Sequence, residues 1–400
     1  MLPVVLDGEF IRERFVRYRE MRETAPAQPA LMPDGLPVWI VTRYEDARIV
    51  LAHPAMSKDS ERAAPLHEAL GRERGTPPSG IAAMLSKHLL NVDPPDHTRL
   101  RRLVAGVFTQ RKIDGLRPGI EAHTESLLDR LAERESADLL AEYAFPLPLA
   151  VIGDLFGLAD EDRERFRAWS NVIARGDDPA AAWTVSLDTV EFLSGLVAQR
   201  RRQPGDDLLS DLVQASDGEA RLSGYEVVAM AFLLLSTGHE PLARAIGNSV
   251  LAVLDNPEIA GLLRADPGLM PDAIDEFLRF QGSTGATTLR FTTEPVALGE
   301  VVIPKHAFVI VALESANRDA ARYPDPDIVD IFRDASGHLA FGHGIHFCLG
   351  SRLARLELEI GIGGLLRRFP KLRLAVPRDE LRWRTSMLFR GLEEMPLLLG

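Results

Sequence analysis

FGHGIHFCLG, residues 341–350, holds the only cysteine in the 400-residue chain and stands directly before the amphipathic stretch SRLARLELEIGIGGLLRRF, 351–369. Gly342, Gly344 and Gly350 permit a tight loop whose backbone amides turn toward Cys348, because glycine reaches dihedrals that other residues avoid. The apolar residues after the loop recur with helical period, which puts Cys348 at or near a helix N-terminus. There the positive end of the helix dipole favours a thiolate over a thiol.

A lone cysteine is ordinarily a small buried hydrophobe. Here Phe341, Gly344, His346, Cys348 and Gly350 form a frame around it. Structural zinc needs several Cys or His ligands at short separations, and one cysteine cannot close a disulfide within its own chain. A glycine-cradled thiolate does suit the axial position of a haem iron, where it pushes electron density to promote O–O cleavage. The stretch resembles FGxGxHxCxG, the motif of the cytochrome P450 superfamily of haem-thiolate enzymes. That resemblance implies a mainly α fold with a minor β region, with haem b between the long central helix and the cysteine-loop helix. It makes Cys348 the iron ligand and places Phe341, Gly342 and Gly350 around the haem.

Other segments match further landmarks of the family. Glu276 and Arg279 form ExxR, and residues three apart on a helix share a face. In the family this pair joins an arginine from a later meander, read here from ANRD (316–319), YPDPD (323–327) and FRD (332–334) as Arg333, with Arg318 as the alternative. The role is structural. DPPDHTRLRR, 93–102, opens a helix with prolines and Asp96 at its start. His97 and Arg101 lie four apart on one face, which by itself reads as a solvated basic surface. In the family the matching positions contact the haem propionates, and Arg290 and His346 match the other propionate positions.

MAFLLLSTGHEPLARAIGNSV, 230–250, resembles the central helix that crosses the haem, where relatives read (A/G)-G-x-(E/D)-T-T. Gly238 and Glu240 occupy the glycine and acid positions, but Pro241 stands where threonine is usual. Proline has no hydroxyl to order the water that carries protons to the site of oxygen activation. It also removes a helix hydrogen bond to residue 237, so a kink or widening is expected there. Protons must then come by way of Glu240, Thr237, Ser236, ordered water or a hydroxyl on the substrate. Fatty-acid peroxygenases of the family also carry proline here, but after an arginine that binds the fatty-acid carboxylate. Glu240 stands in that arginine's place and would repel a carboxylate.

Residues 38–42 alternate like a strand and a helix follows to Pro54, whereas 57–90 are mixed and loop-like. From 96 to 370 the pattern is mostly helical, clearest in 119–133, 186–201 and 224–254. Short β-like pieces fall at 287–292, 296–303 and 307–313, and the tail 371–399 alternates again. No linker or repeat interrupts residues 1–400, which read as a single domain. The formal net charge of −12 argues against nucleic-acid binding. The N-terminus lacks the layout of a signal peptide, no apolar run is long enough to span a bilayer, and one cysteine fits a reducing cytoplasm.

Stretches such as RRQPGDDLLSDLV (201–213) and WRTSMLFRGLEEMP (383–396) resemble the actinobacterial branch that includes macrolide hydroxylases. Met84, Leu89, Phe232, Leu235, Met387 and Leu388, with Thr284 and Thr287, are the expected substrate lining, apolar with a few polar points. Arg99, Arg102, Arg111, Lys112, Arg352 and Arg355 are read as a basic face that steers a ferredoxin, itself served by a ferredoxin reductase. The expected function is hydroxylation or epoxidation of a bulky natural-product intermediate. Oxidative cyclisation or aryl coupling without oxygen insertion is the enzymatic alternative, and a haem-binding carrier or sensor the non-catalytic one.

Overall fold

The computed structural model of the chain describes residues 2–70, 87–106, 108–175, 179–215 and 222–400. They divide into two compact units, each drawn from several stretches of sequence. The first comprises Met1–Ser57, Thr124–Phe145 and Pro241–Gly400, and the second Lys58–His123 and Pro146–Glu240.

All the strands of the described residues lie in the first unit. Six form one sheet in the order Val4–Val5, Ala27–Leu31, Pro37–Val41, Phe308–Val311, Arg290–Thr292 and Met56–Ser57. Pro37–Val41 runs antiparallel to Ala27–Leu31, with Ile40 opposite Gln28, and parallel to Phe308–Val311, with Ile40 opposite Ile310. Val41, Val309 and Val311 bury against Tyr44, Ala47, Val50 and Leu51 of the next helix, Tyr44–Ala52. β-branched residues that would crowd a helix fit such a pleated surface. In a second sheet the tail strand Pro396–Leu398 lies between Arg373–Leu374 and Ser136–Asp138 and pairs antiparallel with both.

The first unit is organised around a charge pair with no exposure at all. Glu276 and Arg279 lie one turn apart on the helix Met270–Gln281, joined by two parallel bonds of 2.6 and 2.7 Å. The guanidinium also donates to the carbonyls of Asn317 and Pro326, both at 2.9 Å, and of Ile328 at 3.2 Å. Glu276 accepts the Asp330 amide at 2.9 Å, and the Arg333 Nε stands 3.5 Å from its carboxylate. Arg318 turns elsewhere, to Asp327 and the Phe280 carbonyl, so of the two arginines it is Arg333 that faces Glu276.

The described part of the second unit contains no strand. Its helices include Asp96–Ala105, Pro146–Leu155, Asp160–Arg175, Pro179–Arg202 and Leu208–Ala215. Ser60–Ala69 is also helical, within the stretch expected to be loop-like. Asp59 caps it by accepting the amides of Glu61 and Arg62, and the short helix ends before the glycine-rich residues that dominate the pattern.

Glu276→Ala should lower stability by about 3–5 kcal/mol, since it strands the buried Arg279 charge and the Asp330 amide. Chemical denaturation of the parent and the variant measures the difference.

Candidate active site

The cysteine loop is built from two short turns, Leu339–Phe341 and Gly344–His346, ahead of the helix Ser351–Arg368. Gly342 and Gly344 both have φ of +74°, a conformation that side chains with a Cβ rarely take. At Gly344 a Cβ would also stand 2.7 Å from the Leu51 carbonyl oxygen and 3.1 Å from the Ala52 Cα, so the loop is pressed on backbone that cannot move aside. The Phe341 carbonyl accepts the Cys348 amide at 2.9 Å, which closes the loop and presents an exposed thiol three residues before the helix. Gly350 is the helix N-cap residue, and a Cβ placed there meets no atom within 4 Å. These residues fit a haem: one thiol near a helix N-terminus, and glycine faces beside it open enough for a flat ring. Ile345 and Phe347 are exposed alongside.

The loop hangs from the meander behind it. The Asn317 side chain accepts the Leu339 amide at 2.6 Å, while its backbone carbonyl is one of those held by Arg279. The same residue therefore serves both motifs, although the sequence marks it only as part of ANRD, 316–319.

The helix Gly224–Leu254 is continuous through Pro241. Proline removes one N–H from the helix, and the residues that follow it are packed in the interior. Leu242, Ala243 and Ile246 are all buried. In the turn before Pro241 the side chains bond back to the helix. Ser236 donates to the Phe232 carbonyl and Thr237 to the Leu233 carbonyl, each at 2.7 Å. The His239 Nδ1 lies 2.9 Å from the Leu235 carbonyl, so it carries the proton there, and burial holds this imidazole below its ordinary pKa. Glu240 is buried. Gly238 lies against Ile152 of the Pro146–Leu155 helix, with only 3.0 Å between a Cβ at that position and the Ile152 Cδ1.

His97 is buried on the helix Asp96–Ala105. Burial, and then the charge of Arg101 beside it, keep its imidazole below the ordinary pKa. Arg290 is buried in its strand opposite Val309, and His346 is half-buried at the end of its turn.

Several expected pocket residues share one short antiparallel ladder in the first unit. Gly285 donates to the Leu388 carbonyl at 2.9 Å, Arg390 to the Ser283 carbonyl at 2.8 Å, and Thr284 bridges Phe389. Thr284, Met387 and Leu388 are thereby neighbours. Thr287 is tied to Val311 through its amide at 2.9 Å and its hydroxyl oxygen at 3.1 Å. In the second unit Leu89 is buried with its amide on the Met230 sulfur at 3.4 Å, Leu235 is fully buried and Phe232 half-buried. Met84 lies outside the described residues.

The expected basic face is thinner than the count of arginines suggests. Arg99 pairs with Asp96 and Glu226, Lys112 with Asp211, and Arg355 with Asp275. Acidic partners distant in sequence neutralise half of it; Arg102, Arg111 and Arg352 are exposed. Among the described residues no helix is long and apolar enough to cross a membrane.

The chain belongs to the cytochrome P450 family. The family model for cytochrome P450 matches residues 188–383. The chain is 48% identical over 397 residues to cytochrome P450 107B1 of Saccharopolyspora erythraea, covering 99% of this chain and 98% of that one. It is 41% identical over 403 residues to the cytochrome P450 monooxygenase PikC of Streptomyces venezuelae, covering 99% and 94%. The solved structure of the P450 monooxygenase TamI bound to tirandamycin C matches with a TM-score of 0.92 at 41% identity, over 100% of both chains. Membership makes the protein a monooxygenase-family enzyme with a haem cofactor and a small-molecule substrate.

Gly344→Ala should cost about 2 kcal/mol or more, from the strained backbone and the contact with Leu51. The unfolding midpoint of the haem-loaded protein reports it.

Proposed function

We propose that residues 1–400 work as one haem b monooxygenase domain in the cytoplasm. It hydroxylates or epoxidises a bulky, largely apolar natural-product intermediate, with electrons from a ferredoxin and its reductase. The observation that carries this reading is the exposed Cys348 thiol, held at the end of a loop with two left-handed glycines and just before a helix. When bound, the haem supplies the activation of dioxygen.

Cys348 would hold the iron, its negative charge favoured by the N-terminus of the Ser351–Arg368 helix. Phe341, Gly342 and Gly350 would form the loop around it. His97, Arg101, Arg290 and His346 would take the propionates, whose charge calls for cationic and hydrogen-bonding partners. Leu89, Phe232, Leu235, Met387 and Leu388 would line the pocket, and Thr284 and Thr287 would give it polar points. A relative named mycinamicin IV hydroxylase/epoxidase supports oxygen insertion into a molecule of this kind.

Proton supply is where this chain differs from its family. Pro241 offers no hydroxyl. The hydroxyls of Ser236 and Thr237 already donate to carbonyls of their own helix, so relaying a proton requires breaking those bonds first. Glu240 with ordered water, or a hydroxyl of the substrate, is left to deliver protons. The same shortage of donors favours a second outcome, bond formation between two atoms of the substrate without oxygen insertion. Turnover under isotope-labelled dioxygen separates the two by whether the label enters the product.

Cys348→Ser should abolish the thiolate-type Soret band of the reduced carbon monoxide complex; a variant that keeps the band removes Cys348 as ligand. Pro241→Thr should raise product formed per electron pair severalfold if a missing hydroxyl limits turnover. Unchanged coupling with loss of product would instead assign Pro241 to shaping the pocket.

A further inference from the structure

Asp275 stands beside Glu276 on the helix Met270–Gln281, and adjacent helix positions point about 100° apart. Glu276 serves the meander, whereas Asp275 reaches the cysteine loop. Its Oδ1 accepts the Arg355 Nε at 2.7 Å and faces the His338 Nε2 at 3.4 Å. The His338 Nδ1 accepts the Ala340 amide at 3.2 Å, which leaves the ring proton on Nε2, aimed at Asp275. His338 and Arg355 both pack on Phe341. The guanidinium carbon lies 4.6 Å from the Phe341 ring centroid, and the imidazole centroid 5.6 Å away. The Phe341 backbone carbonyl in turn holds the Cys348 amide. Burial alone would raise the Asp275 carboxyl, but the bonds from His338 and Arg355 outweigh it and hold the group below the usual range, so it is an anion.

We propose that Asp275 is a positioning residue for Cys348: one carboxylate fixes Arg355 and His338 against Phe341, and Phe341 fixes the cysteine amide. This rests on the assignment of Cys348 as the haem ligand. Asp275 touches neither the thiol nor any reacting atom. It acts by denying Phe341 freedom to shift, and by matching the charge of an arginine that would otherwise face the ligand loop alone.

The experiment compares haem-loaded parent, Asp275→Asn, Asp275→Glu and Arg355→Gln. It reads the rate at which the thiolate-type band of the reduced carbon monoxide complex converts to the thiol-type band, the haem midpoint potential, and the unfolding midpoint. Asp275→Asn and Arg355→Gln should each speed the conversion about tenfold, as expected for losing a partly exposed charge-assisted bond. Both should move the potential in the same direction, and Asp275→Glu should return both readouts most of the way to the parent. An Asn variant with the parent's conversion rate and potential overturns the proposal. So does a faster conversion that only follows a lower unfolding midpoint while the potential stays put. A parent without the thiolate-type band overturns the ligand assignment and this proposal together, whereas a parent with the band and an unchanged Asn variant overturns this proposal alone. Should Asp275→Asn fail to retain haem, Arg355→Gln decides by the same criteria.

Discussion

Two opposite charges with no access to water hold the first unit together. Desolvating a carboxylate and a guanidinium is costly, and a buried pair tolerates it only with good geometry and with its other hydrogen-bonding positions filled. Glu276 and Arg279 meet both conditions. Their bonds are parallel and short, and the remaining guanidinium protons go to carbonyls of Asn317, Pro326 and Ile328. Those carbonyls belong to an irregular stretch with little regular ladder of its own. The ion pair is thus the template on which the chain between residues 317 and 333 is laid down.

Order passes from that template to the cysteine. Asn317 has its backbone carbonyl fixed by Arg279 and uses its side chain to accept the Leu339 amide, where the first turn of the loop begins. Two glycines at positive φ then reverse the chain twice, and Gly344 can press on the backbone at Leu51 only because it has no Cβ. A reactive thiol left on a free loop would sample many positions. Here it is set by backbone bonds and by a phenylalanine held between a histidine and an arginine. The chemistry assigned to Cys348 depends on that fixity, because a ligand that wanders cannot tune a metal.

The central helix answers a different demand. A proline in mid-helix ordinarily costs a hydrogen bond and a clash with the preceding turn, yet Gly224–Leu254 runs on unbroken. The buried apolar residues on both sides of Pro241 supply what local propensity does not. The hydroxyls of Ser236 and Thr237 donate to helix carbonyls just ahead of it, so that turn is well bonded internally.

Much of this molecule was legible before any coordinate. The glycine spacing of 341–350 foretold a tight loop, the apolar period of 224–254 a helix, and the alternation of 38–42 a strand, because each rests on local backbone geometry and on which face a residue presents. FGHGIHFCLG and Glu276–Arg279 were enough to suggest the family. The rest was not legible, since it depends on which distant residues meet. Nothing in the letters says that Asp275 reaches Arg355 and His338, that Asn317 links the meander to the loop, or that Asp211 and Glu226 neutralise basic residues a hundred positions away. The sequence by itself determined the turns, the periods and the single thiol. Only the tertiary structure decided which charges are spent on one another, because a hydrogen bond or an ion pair forms between groups that folding brings within about 3 Å, whatever their separation along the chain.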